Sequence, residues 1–254
     1  MKPKFSLIIF LLVAALSSCV TNGKLTYIQY NGSKSPIIKP DNPAEYTIMP
    51  YDNIFIKVVT PDPKWSDMFN TLPTASGISI SEETAALVSY AVDGAGYIQL
   101  PYAGKIKVAG KTLSVITDEV EKALKGYIAD AAVTVKMVNN YVSLLGEVKQ
   151  PGRYPIYKER MNIFQVIALA GDLNEYANRK KIQLIRQTPE GSFVKEFNLT
   201  DRSIMASEFF YVMPNDIIYV KPMKGKFFQL NGFPYSVLLS SITTFIVIWT
   251  FVKK

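Results

Sequence analysis

A single cysteine stands in this chain of 254 residues, and what precedes it dictates where the rest must fold. The first residues run from a basic start, Lys2 and Lys4, through an unbroken apolar stretch, Leu7 to Leu16, to the small pair Ser17 and Ser18 before Cys19. Basic, apolar, small: this is the layout of a secretory signal peptide, and the apolar stretch is too short to be read as a membrane span. The body is therefore expected to fold outside the cytoplasm. An exposed lone thiol there is a liability, whereas an acylated one is used up.

Leu16-Ser17-Ser18-Cys19 resembles the bacterial lipobox, in which the cysteine sulfur receives diacylglycerol and becomes the new N-terminus. The resemblance implies lipidation at Cys19 after removal of residues 1–18. Residue 20 is valine rather than aspartate, so the inner-membrane retention signal of many such lipoproteins is missing and the outer membrane is the expected address. Cleavage lowers the formal charge of +7 by two lysines. The remaining excess is scattered, with Lys105/Lys107, Arg179/Lys180/Lys181 and Lys224/Lys226 as its densest spots, read as solvated faces. No aromatic-interleaved basic stripe points to nucleic acid.

At the other end, Tyr235 to Val252 is an uncharged apolar stretch closed by Lys253 and Lys254. As a helix it would be roughly 27 Å long, close to the hydrocarbon thickness of a bilayer. Ser236, Ser240, Thr243, Thr244 and Thr250 fall within an arc of roughly 120°, opposite Leu238, Leu239, Ile242, Phe245, Ile246 and Trp249. This pattern is expected to form a C-terminal transmembrane amphipathic helix over 235–252. Two readings of its hydroxyl face stay open: Ser236, Ser240, Thr243 and Thr244 line an aqueous pore, or they pack against a neighbouring helix.

The intervening body reads as α+β. Ile54, Ile56 and Val58 alternate with Phe55, Lys57 and Val59; Ile106 and Val108 with Lys105 and Lys107; Val133, Val135 and Met137 with Thr134 and Lys136. Each period of two marks a half-buried strand. Thr112 is placed to cap a helix carrying Leu113, Ile116, Val120 and Leu124, ending near Gly126. Asn162 is placed to cap another carrying Ile163, Val166, Ile167 and Ala170, stopped by Gly171. Ile48-Met49-Pro50-Tyr51-Asp52 before one strand is similar to Val212-Met213-Pro214-Asn215-Asp216 before another, so Asp52 and Asp216 are read as turn-formers whose carboxylates bond backbone N–H groups. Residues 24–42 read as a tether, and Trp65–Thr84 as an irregular excursion.

Two motif groups carry a resemblance to a known family. Tyr46 to Ile54, then Asp93-Gly94 through Tyr97-Ile98-Gln99-Leu100-Pro101-Tyr102-Ala103-Gly104 and Val108-Ala109-Gly110-Lys111-Thr112, resemble the export domain of Wza-like polysaccharide biosynthesis/export proteins. Val142 to Val148, with its Gly146-Glu147-Val148, then Pro151-Gly152-Arg153-Tyr154 and Ala168-Leu169-Ala170-Gly171-Asp172 resemble a soluble-ligand-binding β-grasp (SLBB) domain. The expected plan is a signal peptide (1–18), a lipidated tether (19–44), an export domain (45–139), one β-grasp domain (140–222), a linker (223–234) and the terminal helix (235–252). Structural roles are expected for Asp52, Gly94, Pro101, Gly104, Gly110, Gly146, Pro151, Gly152, Gly171 and Asp216, with Pro151-Gly152 as a type II turn.

The resemblance implies a homo-oligomeric ring, typically octameric. It implies an outer-membrane, lipid-anchored location with the body in the periplasm. It also implies contact with a polysaccharide polymer, membrane lipid and an inner-membrane polysaccharide co-polymerase or tyrosine kinase. One β-grasp module instead of two implies a shorter periplasmic body. The expected function is that of a conduit subunit exporting capsular or extracellular polysaccharide; the alternative is a carbohydrate-binding envelope lipoprotein that forms no pore.

Enzymatic chemistry finds little to use. With no histidine and its one cysteine committed to lipid, the chain lacks the parts for Cys–His or Ser–His dyads and for zinc sites, so no catalytic residue, metal or cofactor is expected. Gly104 to Thr112 superficially suggests a phosphate loop, but five residues separate the glycines and Ile106 and Val108 alternate as in a strand. Asn198-Leu199-Thr200 has the spelling of a glycosylation site and is read as turn chemistry.

Overall fold

The computed structural model describes residues 25–29, 37–38, 45–70, 87–128, 130–138, 140–158, 160–223, 226 and 235–252. The signal peptide, Cys19, most of the expected tether and most of the linker lie outside the described residues.

Two separate apolar cores form. The first unit contains β1 (Asn53–Val59), α1 (Pro63–Phe69), β2 (Tyr90–Ala91), β3 (Tyr97–Leu100), β4 (Gly104–Lys107), α2 (Leu113–Leu124) and β5 (Ala132–Met137). Strand β1 is central, antiparallel to β2 on one side and to β5 on the other, with Ile56 opposite Val135. The period of two works as expected, since Ile54, Ile56 and Val58 are all buried. Helix α2 begins at Thr112, whose side chain accepts from Val115 N, and its spacing puts Ile116, Val120 and Leu124 on one stripe buried in the same core. Each such burial stabilises by about 1.5–3 kcal/mol. The phosphate-loop look-alike is the β3–β4 hairpin and the turn after it, where Lys111 pairs with Glu119 at 2.6 Å.

The excursion from Trp65 is less irregular than its composition promised. Asp62 accepts from Lys64 N and Pro63 opens a short helix, α1, which buries Phe69. An acidic cap followed by proline at the first helical position is a helix start that outweighs the missing periodicity. Residues 71–86 lie outside the described residues.

The second unit contains β6 (Tyr141–Gly146), β7 (Gly152–Pro155), β8 (Met161–Asn162), α3 (Ile163–Leu169), β9 (Ala177–Thr188), β10 (Gly191–Phe197), a 3-10 turn (Arg202–Ala206), β11 (Tyr211–Val212) and β12 (Ile217–Pro222). Its main sheet has the order β10-β9-β12-β6-β7, with β12 parallel to β6 and the other pairs antiparallel. Helix α3 starts with a capping box in which Asn162 and Gln165 exchange side-chain bonds to each other's backbone N–H, both 3.0 Å. It stops as expected at Gly171, whose φ is +72°. There Asp172 N donates to Ile167 O and Gly171 N to Ala168 O, closing a Schellman motif.

Gly146 has a sharper requirement. Its φ is +88°, and a Cβ built there would sit 2.2 Å from the Val220 carbonyl oxygen. Only glycine lets β6 approach β12 this closely. The type II turn expected at Pro151-Gly152 does not form, because Gly152 lacks a positive φ and opens β7. The positive φ falls at Gly146 instead, where Val148 N donates to Gly146 O. Residues 148–150 then bond to the loop after α3, through the Val148–Leu173 bridge, Lys149 N to Asp172 O and Gln150 N to Ala170 O.

Part of the expected tether is seated on this second unit. Ile28 N donates to Leu199 O and Gln29 N to Thr200 O, and Tyr27 packs edge-on against Phe164 at 5.8 Å. Arg179, read from sequence as one of a solvated basic trio, is buried with its guanidinium over the Tyr27 ring. Nearby, Asn198 Oδ1 accepts from Thr200 N and Thr200 Oγ1, which is the turn chemistry expected of that tripeptide.

The expected transmembrane helix requires correction. A helix, α4 (Tyr235–Val252), does form, but among the described residues no helix is long and apolar enough to cross a membrane. Its 18 residues span roughly 27 Å, short of a hydrocarbon core of about 30 Å. Hydroxyl residues also dilute its apolar character: Ser240, Ser241, Thr243, Thr244 and Thr250 turn their hydroxyls back onto carbonyls three or four residues earlier. Those donors are satisfied within the helix. The α+β class holds for the two packed units; the membrane-spanning element does not.

Candidate ligand cleft between two matching turns

The similarity between the two Met-Pro-x-Asp segments is a similarity of structure. In the first, Asp52 N donates to Met49 O at 3.2 Å, Tyr51 has φ +71°, and Met49 N donates to Asp52 Oδ2 at 2.8 Å. In the second, Asp216 N donates to Met213 O at 3.2 Å, Asn215 has φ +64°, and Met213 N donates to Asp216 Oδ2 at 2.7 Å. Proline at the second position and a positive φ at the third make both type II turns. Each aspartate closes its own turn and leads into a central strand, β1 or β12. The sequence reading of Asp52 and Asp216 as turn-formers matches this geometry.

Their partners differ. Asp52, 3% exposed, accepts from the Tyr46 hydroxyl at 2.8 Å. Asp216, fully buried, takes a two-pronged ion pair from Arg186: Nε to Oδ1 at 2.9 Å and Nη2 to Oδ2 at 2.7 Å. Burial raises the Asp216 pKa above its ordinary value, with Arg186 and the Met213 N–H pulling it back down. Burial, reinforced by the charge of Asp52, pushes the Tyr46 phenol well above the ordinary tyrosine range.

The two turns meet. Asn215 of the second lies within reach of the Tyr46 phenol of the first, and together with the β9–β10 hairpin they enclose an open cleft of 370 Å³. Met49 and Tyr51 of the first turn, Asn215 of the second, and Gln187, Thr188 and Ser192 of the hairpin line it. Asp52 is the one ionisable carboxylate of the lining; it is buried and its Oδ2 accepts from both the Tyr46 hydroxyl and Met49 N, so the groups the cleft exposes are neutral polar groups and one aromatic ring.

The other sequence-singled positions shape the scaffold. Gly94 lies under the Tyr51 ring, where an added Cβ would come 3.0 Å from its hydroxyl. Pro101 and Gly104 form the β3–β4 turn, and Gly110 N donates to Ile48 O just before the first Met-Pro-x-Asp turn. Pro151 and Gly171 are not part of the cleft lining. Ser236, Ser240, Thr243 and Thr244 sit on α4, away from the cleft lining. Among the described residues no group of three or more carboxylates or thiols is arranged to hold a metal. The sequence did not single out Arg186, Gln187 or Ser192, whose roles depend on where the hairpin lands.

Residues 40–138 match the family described as polysaccharide biosynthesis/export protein, and residues 141–194 match the SLBB domain. The chain thus carries a stretch similar to a polysaccharide biosynthesis/export domain followed by a stretch similar to an SLBB domain. The first match ends and the second begins between β5 and β6, where one core gives way to the other. The SLBB match stops within β10, yet the second core continues to Val220, so the central strand β12 comes from beyond the matched stretch.

Curated relatives match part of the chain. The chain is 37% identical over 101 residues to the EPS I polysaccharide export outer membrane protein EpsA of Ralstonia nicotianae, covering 38% of this chain and 26% of that protein. It is 36% identical over 94 residues to the protein of the same name from Ralstonia solanacearum, covering 36% and 25%. It is 30% identical over 112 residues to the exopolysaccharide production protein ExoF of Rhizobium meliloti, covering 42% and 26%. The matched stretch thus spans about a quarter of each relative's length.

Proposed function

We propose that this chain is a non-catalytic component of the machinery that moves an exopolysaccharide out across the outer membrane. The observation that carries the proposal is the pairing, in order and without a gap larger than two residues, of an export domain with an SLBB domain. Proteins named for outer-membrane polysaccharide export and exopolysaccharide production are similar to part of this chain. A polymer in transit needs surfaces that hold it weakly and repeatedly, and a neutral cleft with one exposed aromatic ring is such a surface. In this reading Cys19 carries the lipid that holds the body on the periplasmic side of the outer membrane. Copies of the chain assemble into a ring, and an inner-membrane co-polymerase or kinase delivers the polymer.

Deleting the gene in its own bacterium should abolish surface polysaccharide while polymer accumulates in the periplasm, and plasmid-borne protein should restore export. A second reading, a carbohydrate-binding envelope lipoprotein that makes no pore, is favoured by the lack of a membrane-crossing helix among the described residues. It predicts that deletion leaves polymer secretion intact and weakens only its retention on the cell. Measuring surface, periplasmic and released polymer in one culture separates the two. Unchanged amounts in all three fractions would sink both.

A further inference from the structure

We infer that the cleft between the two Met-Pro-x-Asp turns is a subsite for an uncharged stretch of glycan, with the Tyr51 ring as its platform. The inference rests on the export reading and assigns that reading a place on the molecule.

Tyr51 is conspicuous in two ways. Its side chain is 79% exposed, and its backbone is held at φ +71°, where a residue with a Cβ is strained. The conformation is enforced from three sides: Tyr51 N donates to Val92 O, Asp52 N to Met49 O, and Asp52 Oδ2 accepts from Met49 N. Glycine or asparagine fits such a turn position more comfortably, and the equivalent place in the second turn is indeed Asn215. Burial of the ring within this chain does not offset the strain. An outlier of this kind at the mouth of a cleft is the direction in which strain argues for function.

The surroundings say what the ring faces. The Tyr51 hydroxyl rests against Gly94, which fixes one end of the ring because there is no Cβ in the way. The same cleft is lined by two amide residues, Gln187 and Asn215, and two hydroxyl residues, Ser192 and Thr188, the last donating to Gly191 O at 2.8 Å. An aromatic face opposite planar amides and hydroxyls is the chemistry that takes a pyranose ring: its C–H face packs on the aromatic and its hydroxyls exchange hydrogen bonds with the amides. The cleft volume of 370 Å³ lies within the range of about 300–1,000 Å³ usual for small-molecule sites. Among the described residues no lysine or arginine lines it, and the Asp52 carboxylate is buried with its Oδ2 held by Tyr46 and Met49, so the site favours neutral sugars over uronates. Because Tyr51 belongs to the first unit and Gln187, Ser192 and Asn215 to the second, a bound segment touches both units at once.

The probe is a set of oligosaccharides made by partial hydrolysis of the producing strain's own surface polysaccharide, titrated by calorimetry into the full-length detergent-solubilised protein. Wild type is expected to bind saturably. Tyr51→Gly should weaken binding by about tenfold or more without lowering the thermal midpoint, since glycine adopts this backbone conformation freely. Tyr51→Trp should keep binding within about threefold. Gln187→Ala should weaken it several-fold, and Tyr102→Ala, an exposed tyrosine outside the cleft, should leave it unchanged. Undetectable binding to wild type at about 10 mM oligosaccharide (about 2.7 kcal/mol), or full binding by Tyr51→Gly, would overturn the subsite. If export still fails in the deletion strain, that result leaves the export reading standing; if export persists there, the export reading fails whatever the cleft binds.

Discussion

The same Met-Pro-x-Asp turn occurs twice, and its two aspartates sit in opposite electrostatic settings. Asp216 is fully buried beside a guanidinium, and burial is the largest influence on its carboxyl. A buried ion pair gains little over an apolar pair, but removing one partner strands the other. Arg186→Met should therefore cost about 3–5 kcal/mol. Adding Asp216→Asn should recover part of that loss, since an amide oxygen can still accept from Met213 N. Chemical denaturation of the two single variants and the double variant measures the coupling.

Tyr46 gives the pH counterpart. Its pKa is raised in the folded protein, first by burial and then by Asp52, so the folded state keeps a proton that the unfolded chain releases near pH 10. The stabilisation is complete below that pH and is lost as pH rises through the folded value. Tyr46→Phe should flatten the fall in stability between about pH 9.5 and 11.5, followed by urea midpoints at each pH. An unchanged slope would show that the Tyr46 proton is not held by the fold.

Among the elements, the short segment Leu25–Gln29 departs most from what its composition promised. Proline, glycine and lysine nearby suggested a free tether, yet it forms a parallel bridge to Asp201 and places the Tyr27 hydroxyl 2.6 Å from Asp172 Oδ1. Asp172 has φ +81°, just after the left-handed Gly171, and its carboxylate also accepts from Leu173 N. Tyr27 thus helps to hold the strained corner that ends α3. Tyr27→Ala should lower the stability of the second unit by about 1–3 kcal/mol and expose the chain near residue 29 to limited proteolysis. Tyr27→Phe, which keeps the ring over Arg179, should do less damage. Capping was easier to foresee: Thr112 and Asn162 both cap as their sequence context indicates, because a cap depends on residues three positions away.

At the scale of the molecule, the two cores share no residue. Calorimetry should accordingly resolve two transitions, and Gly146→Ala should lower only that of the second unit, by driving a methyl group into the Val220 carbonyl. A single transition displaced as a whole would mean that the contact at the cleft couples the units more tightly than two separate cores require. The amino-acid sequence by itself determined the period-two strands Ile54–Val58 and Val133–Met137, the two capped helices, the aspartate turns and the family resemblance. All of these are written in spacings of a few residues. Only the tertiary structure decided that Arg186 reaches Asp216 across 30 positions, that Tyr27 reaches Asp172 across 145, and that the β9–β10 hairpin comes to rest beside Tyr51. It also decided that Gly146 and not Gly152 takes the positive φ between β6 and β7, and that hydroxyls of α4 bond their own helix. Local periodicity sets which face of an element is apolar. Which elements meet, and which side chains are left to line a cleft, depends on how two cores close over all of those faces at once.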